Sequence, residues 1–176
     1  MDRTVPWCDP LFSILVAASA NLNTITSISP AAAALPWRGG NQESMRILTV
    51  CTGNICRSPM AQAFLVRQFP DSTVESAGTS ALVGQPADPL AVKCMEDRGI
   101  DIRGHIARQI DAVMLRESSM VLVASREHQA CIEQDFPWAR GRVFRLGQWL
   151  GHDIEDPYRR GEAAFQIACD AIDQAF

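Results

Sequence analysis

A nine-residue stretch that separates a short apolar run from a helical pattern constrains this chain more than any other feature. The stretch follows the apolar run 47–50 and precedes a helical pattern that begins at Met60. Its glycine and asparagine allow the backbone to curl tightly, and its proline suits the first turn of a helix. The sequence therefore predicts a strand, a tight loop and a helix start. In order, the residues of this loop are Cys51, Thr52, Gly53, Asn54, Ile55, Cys56, Arg57, Ser58 and Pro59.

The predicted loop has the residues that an anion-binding site needs. Gly53 can adopt a positive φ without steric cost and Asn54 tolerates the left-handed region, so successive backbone N–H groups can point at one centre. The start of the helix adds the positive end of its dipole, and Arg57 adds a guanidinium. These positive groups favour the thiolate form of Cys51 over the thiol. We therefore predict a phosphate-binding loop in which Cys51 is a nucleophile.

Composition limits the class of protein. The chain has 176 residues, 47% of them hydrophobic, which is enough for one domain with a proper core. A net charge of −4 argues against a general nucleic-acid or membrane-surface binder. The cysteines show no paired C-x-x-C spacing and no nearby histidine ligands, so we predict neither a metal site nor a disulfide framework, and a reducing cytoplasm fits best. They are Cys8, Cys51, Cys56, Cys94, Cys131 and Cys169.

Residues 1–44 differ in composition from the rest of the chain. They contain few charges, many Ala, Ser, Thr and Asn residues, and four prolines. The run 11–20 resembles the core of a short signal peptide, but the region before it carries one arginine against two aspartates, and the run is too short to span a bilayer. Three interpretations stay open: an upstream start codon over sequence that is not normally translated, a disordered extension, or an export signal.

From Arg46 onwards, apolar runs alternate with helical patterns, which indicates βαβ units and a parallel sheet. The first helix should turn Met60, Ala63, Phe64 and Val66 inward. The fully apolar run 120–124 is typical of a strand covered on both faces. We predict an α/β fold, a small doubly wound four-stranded parallel sheet with helices on both faces. The predicted strands are 46–50, 74–76, 120–124 and 143–146, and the predicted helices are 59–69, 88–99, 126–135 and 161–175.

The loop resembles the active-site loop of the low-molecular-weight protein tyrosine phosphatases. The likeness continues through Ser76–Thr79, Gly104–Gln109, Gly141–Gly147 and Asp156–Tyr158, and so covers the chain from Arg46 to its end. It is greatest to the bacterial members encoded with capsule or exopolysaccharide machinery, which act on autophosphorylating tyrosine kinases. The resemblance implies strand order 2-1-3-4 and a phosphatase domain at residues 45–176. Since chains of this family usually begin at the position of Met45, a misplaced start is the simplest account of residues 1–44.

The resemblance also implies which residues are catalytic and which bind the substrate. Cys51 would attack phosphorus to form a cysteinyl phosphate, and Arg57 would bind two equatorial oxygens through its fork. Asp156 would protonate the departing phenolate and then activate water, and Pro157 favours the extended conformation that points this carboxyl across a cleft. The remaining substrate contacts would come from the loop backbone and from two side chains that flank the substrate ring. These residues are Thr52, Gly53, Asn54, Ile55, Cys56, Ser58, Leu82 and Tyr158.

Supporting roles follow from the same resemblance. Ser58 would donate its hydroxyl proton to the departing thiolate, while Ser76 and His105 would join Asn54 in a buried polar network that holds the loop. Cys56 would either form a reversible disulfide with Cys51 or simply pack. Where family members usually carry an acidic residue after the third strand, this chain has Ala124-Ser125. We expect two further histidines, His128 and His152, at the surface.

Several functions remain to be weighed against hydrolysis of phosphotyrosine. Arsenate reductase of the same fold would need an additional closely spaced cysteine pair, whereas Cys94, Cys131 and Cys169 are isolated in the sequence. Phosphoarginine phosphatases carry Thr where this chain has Ile55.

A non-catalytic phosphotyrosine-binding module would have lost Cys51, Arg57 or Asp156, and this chain has all three. The prediction is therefore a cytoplasmic phosphatase that needs no cofactor and acts on a phosphotyrosine protein, a bacterial tyrosine autokinase of exopolysaccharide export. Neither nucleic-acid binding nor membrane insertion is expected. Leu82 stands where many family members have an aromatic wall, so it would leave a wider mouth. Two arginines, Arg159 and Arg160, would attract neighbouring phosphates, and both features suit a multiply phosphorylated tail.

Overall fold

The computed structural model describes residues 44–176, which form a four-stranded parallel sheet and five α-helices. The strand order, β2-β1-β3-β4, is the predicted one. The strands are β1 (Arg46–Cys51), β2 (Thr73–Gly78), β3 (Met120–Val123) and β4 (Val143–Arg145). The helices are α1 (Arg57–Gln68), α2 (Pro89–Glu96), α3 (Ala112–Glu117), α4 (Arg126–Asp135) and α5 (Glu162–Asp173), with a 3-10 turn at Pro137–Ala139. The interpretations of the N-terminal extension concern residues that, except for Ser44, lie outside this part of the chain. Within residues 44–176, no helix combines the length and apolarity that crossing a bilayer requires.

Strand β1 divides the core into two halves, because its successive side chains point to opposite faces of the sheet. Ile47 and Cys51 belong to a cluster that includes Phe64 of α1 and Phe165 of α5. On the other face, Leu48, Val50 and their neighbours pack with Leu115 of α3 and Ile132 of α4. The predicted doubly wound arrangement is therefore confirmed.

Two local features differ from the predictions. Helix α3 was not predicted, since six residues are too few to show a clear period; its signal is Asp111, whose Oδ1 accepts from the N–H groups of Val113 at 2.7 Å and Met114 at 2.8 Å. The inward orientation of Val66 is wrong, because this side chain is 48% exposed. The buried stripe of α1 instead passes through Met60, Ala61, Phe64 and Leu65.

The carboxyl end of β1 lies at the point where the connections of the sheet diverge, to β2 on one side and to β3 on the other. Open α/β sheets form their ligand crevices at such points. Gly78, at the end of β2, pairs with Cys51 in the parallel register. A Cβ atom added to Gly78 would collide with the backbone carbonyl oxygen of Thr52, so glycine lets the neighbouring strand end approach the loop.

Replacing Gly78 with alanine should destabilise the fold measurably. The methyl group would meet backbone, which cannot rotate away, so we expect the free energy of unfolding to fall by ~1–3 kcal/mol, as for other overpacked sites. Gly104→Ala is the matched control, because an added Cβ there has no heavy atom within 4 Å. Urea denaturation of the two variants measures the difference. Equal midpoints would show that the loop yields without cost.

Candidate active site

The loop between β1 and α1 curls through one residue in the left-handed region. Asn54 has φ of 55°, as its position in the sequence predicts. Gly53, expected to share that conformation, does not adopt a positive φ, so the curl needs only one such residue. Helix α1 begins after Cys56 with no side-chain cap, which leaves the first-turn N–H groups available to an anion.

The candidate nucleophile lies at the bottom of a pocket of about 180 Å³. Cys51 is 2% exposed, and its Sγ lies 3.0 Å from Oγ of Ser58. Asn54 Nδ2 donates to the same Oγ at 2.9 Å, which leaves the Ser58 hydroxyl proton for the sulfur or for the Ala77 carbonyl at 3.3 Å. The residues that line the pocket are Cys51, Thr52, Gly53, Ile55, Cys56, Arg57, Ser80, Leu82, Asp156 and Tyr158.

The residues that the sequence assigned to catalysis or substrate contact divide into two groups. Nine of them line the pocket. The other two, Asn54 and Ser58, are wholly buried behind it. Ser80, which also lines the pocket, was not predicted. The polar interior of the loop is therefore separate from the surface that a substrate would touch.

Asn54 is the centre of the polar network that supports the loop. Its carbonyl accepts from Nε2 of His105 at 2.6 Å, and since a carbonyl can only accept, Nε2 carries the ring proton. Burial lowers the pKa of His105, which keeps the ring neutral. The Asn54 side-chain oxygen accepts from the backbone N–H of Arg108 at 2.9 Å.

Ser76 reaches this network indirectly. Its hydroxyl donates to Gln62 Oε1 at 2.6 Å, not to a loop residue, while its carbonyl accepts from Nε of Arg108 at 3.0 Å. Arg108 thus joins β2 to Asn54. No role was predicted for Arg108, although it lies inside one of the segments that carry the family likeness. Thr49, a fully buried polar residue of β1, was also missed; its hydroxyl donates to the Ser58 carbonyl at 2.9 Å.

Arg57 extends across the pocket and is 5% exposed. Its Nη1 donates to the Ile154 carbonyl at 3.1 Å, and its Nη2 donates to Oδ2 of Asp156 at 2.7 Å. Its Nε is buried and has no hydrogen-bond partner within residues 44–176. An unpaired buried donor is costly, and a tetrahedral oxyanion in the pocket would satisfy it.

The rim of the pocket carries the carboxyl group and the flanking side chains. Asp156 is half exposed, and its Oδ1 accepts from the Tyr158 N–H at 3.1 Å. Leu82 and Tyr158 are 44% and 39% exposed at the mouth. The guanidinium of Arg159 lies over the Tyr158 ring, 5.1 Å from its centroid, and so fixes one wall.

Two thiols share the pocket with unequal environments. Cys51 and Cys56 are both free and buried. Burial, followed by the negative charge of Asp88, raises the pKa of Cys56 well above its usual range. A raised pKa favours the neutral thiol of Cys56 at neutral pH, so Cys51 remains the candidate nucleophile.

One histidine does not lie where it was predicted. His152 is exposed, as expected, but His128 is only 6% exposed and contacts the loop through Thr52. Ile132, four residues later, is the other buried residue of α4. The i, i+4 spacing of His128 and Ile132 is the signal that could have revealed a shared inward face.

Comparisons with known proteins identify relatives of this domain. The family described as low molecular weight phosphotyrosine protein phosphatase matches residues 46–176. The low molecular weight protein-tyrosine-phosphatase Ptp of Acinetobacter johnsonii is 48% identical over 119 residues, which are 68% of this chain and 84% of Ptp. The structure of Wzb from Vibrio vulnificus, solved in complex with benzylphosphonate, is 38% identical with a TM-score of 0.72, over 74% of this chain and 93% of Wzb. The YwlE arginine phosphatase from Geobacillus stearothermophilus is 34% identical with a TM-score of 0.70, over 74% of this chain and 87% of that protein.

The matched region coincides with the described sheet and contains the complete pocket. Cys51, Arg57 and Asp156, which the sequence assigned to catalysis, all lie within it and line one cavity. The match therefore spans the whole described domain, including the residues of the pocket. The chain belongs to the low molecular weight phosphotyrosine protein phosphatase family.

Proposed function

We propose that this protein-tyrosine phosphatase acts in the cytoplasm and hydrolyses phosphotyrosine through a cysteinyl-phosphate intermediate. The observation that supports the proposal most is the meeting of Cys51, Arg57 and Asp156 in one pocket at the carboxyl end of β1. Phosphoryl transfer needs an in-line nucleophile, donors for the equatorial oxygens and a proton for the leaving group. The pocket holds a candidate for each.

In the first step, the thiolate of Cys51 attacks phosphorus while the bond from phosphorus to the phenolic oxygen breaks. Arg57 and the backbone N–H groups of the loop bind the equatorial oxygens. The unpaired Nε of Arg57 and its Nη2 then face the phosphate, so Asp156 must release Nη2. The freed carboxyl, protonated at that stage, gives its proton to the phenolic oxygen, and tyrosine leaves.

In the second step, water attacks the cysteinyl phosphate. Asp156, now a carboxylate, accepts a proton from the water, and the bond from sulfur to phosphorus breaks to release inorganic phosphate. Ser58 lies 3.0 Å from the sulfur, so its hydroxyl can donate to the thiolate that leaves. Asn54 donates to the oxygen of that hydroxyl, which directs the serine proton towards the sulfur.

The shape of the pocket favours a phenyl ring over the competing substrates. Ile55, Leu82 and Tyr158 give it apolar walls, which suit an aryl phosphate better than a charged phosphoarginine. An arsenate reductase would need another accessible cysteine pair. Cys94 and Cys169, though distant in sequence, belong to the same buried cluster and are close enough to interact electrostatically. Both are fully buried and neither lines the pocket, so they do not suit that reaction.

We further propose that the substrate is the multiply phosphorylated tail of a bacterial tyrosine autokinase of exopolysaccharide export. Leu82 leaves a wider mouth than an aromatic residue would. Beside it, two arginines differ in availability: Arg160 pairs with Glu155 at 3.0 Å, whereas Arg159 stacks on Tyr158 and has no carboxylate partner in the described chain. Arg159 is therefore the better candidate to attract a second phosphate.

Kinetics on two substrates test this choice. We expect the native chain to show a higher kcat/KM on a phosphorylated kinase tail than on a monophosphorylated tyrosine peptide. Arg159→Ala should lower that ratio ~2- to 5-fold, the scale of an exposed ion pair. Arg160→Ala, the matched control, should change this ratio of kcat/KM values less. Leu82→Trp should lower the ratio in favour of the monophosphorylated peptide.

Two outcomes would contradict these proposals. A native ratio near one that no variant changes would exclude the kinase tail as the preferred substrate. Faster cleavage of a phosphoarginine peptide than of a phosphotyrosine peptide would exclude phosphotyrosine.

A further inference from the structure

A buried histidine behind the nucleophile loop contacts that loop directly. Nε2 of His128 lies 2.9 Å from Oγ1 of Thr52, the residue after the nucleophile. Nδ1 of the same ring lies 2.6 Å from Oγ of Ser125. Both ring nitrogens are thus engaged, although neither step of the reaction above assigns a part to His128.

Ser125 makes this contact in place of its usual one. It is the N-cap residue of α4, where a serine ordinarily accepts a hydrogen bond from the first helical turn, yet its side chain caps no N–H group. Asp153 instead accepts from another group of the same turn, the backbone N–H of Arg126, through its Oδ2 at 2.9 Å. A carboxylate thus contributes to the helix start, while the Ser125 hydroxyl contacts the imidazole ring.

The direction of the hydrogen bonds follows from the surrounding charges. Burial, followed by the nearby guanidinium of Arg57, lowers the pKa of His128 to about 4, while Asp156 and Asp153 oppose the shift. The neutral ring has one donor and one acceptor nitrogen. Oγ1 of Thr52 accepts a long hydrogen bond, 3.5 Å, from Nη2 of Arg57, which makes the Thr52 hydroxyl a stronger donor. This cooperativity favours the tautomer in which Nε2 accepts from Thr52 and Nδ1–H donates to Ser125.

We propose that Ser125, His128 and Thr52 form a positioning chain that holds the guanidinium of Arg57 in its phosphate-binding orientation. Arg57 is fixed at Nη1 by the Ile154 carbonyl and at Nη2 by Asp156. Asp156 has to leave Nη2 when it protonates the substrate, so this inference rests on the proposed function. Nη2 carries two hydrogens, and with one on the phosphate, the other keeps Thr52 as its partner. His128 is thus a positioning residue that acts through Thr52.

A double-mutant cycle between His128 and Thr52 tests the chain. The variants are His128→Ala, Thr52→Val and their combination, with His152→Ala as a matched control at an exposed histidine. For each folded variant, the measurements are kcat/KM on an aryl phosphate, Kd for orthophosphate by calorimetry, and Tm. We expect His128→Ala to lower kcat/KM and to weaken orthophosphate binding ~3- to 10-fold, the scale of one hydrogen bond. The double variant should lose little more than Thr52→Val alone.

Conservative variants separate positioning from mere packing. His128→Gln, which keeps a side-chain acceptor, should recover part of the loss, and His152→Ala should behave as the native chain. The proposal would be overturned if the losses of kcat/KM in the two single variants multiplied in the double variant. It would also be overturned if a folded His128→Ala had a lower Tm but native kcat/KM and native Kd for orthophosphate. If His128→Ala does not fold, Ser125→Ala replaces it in the double-mutant cycle with Thr52→Val. A native chain that binds orthophosphate without cleaving aryl phosphates would refute the proposed function, while the cycle in Kd would still test the positioning chain.

Discussion

Replacing Cys51 with serine is expected to reduce turnover of aryl phosphates by ~10⁴-fold or more, the scale seen when a covalent nucleophile is removed. A serine hydroxyl at this position would have no adjacent base to activate it among the described residues, since the polar side chain that Cys51 contacts is Ser58, whose oxygen already accepts from Asn54. The anion-binding groups are untouched, so affinity for orthophosphate or vanadate should remain comparable. Initial rates on p-nitrophenyl phosphate, with and without EDTA, and calorimetry on the same preparations measure both properties.

The control for this prediction is Cys131→Ser. Cys131 is an exposed free cysteine that does not line the pocket, and its replacement should leave turnover and anion binding at native values. Substantial residual turnover in Cys51→Ser would instead point to a mechanism without a cysteinyl phosphate. Loss of orthophosphate binding in that variant would show that the sulfur shapes the loop as well as attacking phosphorus.

Replacing Asp156 with asparagine should separate substrates by their leaving groups. Without a proton donor, phenyl phosphate turnover should fall ~10²- to 10⁴-fold, the usual contribution of general acid–base catalysis. p-Nitrophenyl phosphate, whose phenolate leaves readily, should suffer less. The same change frees Nη2 of Arg57 from its 2.7 Å contact with a carboxylate, so orthophosphate should bind more tightly than to the native chain. Steady-state kinetics and product-inhibition constants test both expectations.

Glu155→Gln is the matched control for Asp156→Asn, because it removes a neighbouring carboxylate that pairs with Arg160 at the surface. It should leave the dependence on leaving group unchanged. If both substrates lost the same factor in Asp156→Asn, Asp156 would be a structural residue of the loop that carries Tyr158. Weaker orthophosphate binding in that variant would indicate that the carboxylate organises Arg57 instead of competing for it.

The sheet could be predicted from sequence because its strands are short apolar runs bounded by turn residues, and the family resemblance supplied their order. Helix α3 could not, since its six residues show no clear hydrophobic period and only the cap at Asp111 marks it. Val66 was misplaced because the buried stripe of a helix depends on its tertiary neighbours.

The pocket was predicted more completely than its support. Cys51 and Arg57 lie in one continuous loop, so their joint purpose is visible in the sequence, and the resemblance added Asp156. Arg108 and His128 act through partners far along the chain, at Asn54 and Thr52. The i, i+4 spacing of His128 and Ile132 could have placed the histidine on an inward face, but local spacing carries no information about its partner, Thr52.

The ion pair between Arg57 and Asp156 has a consequence for the choice among anions. The carboxylate is an internal competitor, tethered next to the guanidinium at 2.7 Å, and any entering anion must exchange with it. A singly charged ion gains little from that exchange, whereas a phosphate dianion can also satisfy Nε and the loop N–H groups. In the proposed reaction, we expect this exchange to run in reverse after hydrolysis, because the returning carboxylate would weaken the binding of inorganic phosphate. The same carboxylate would then favour dianions on entry and promote release of the product.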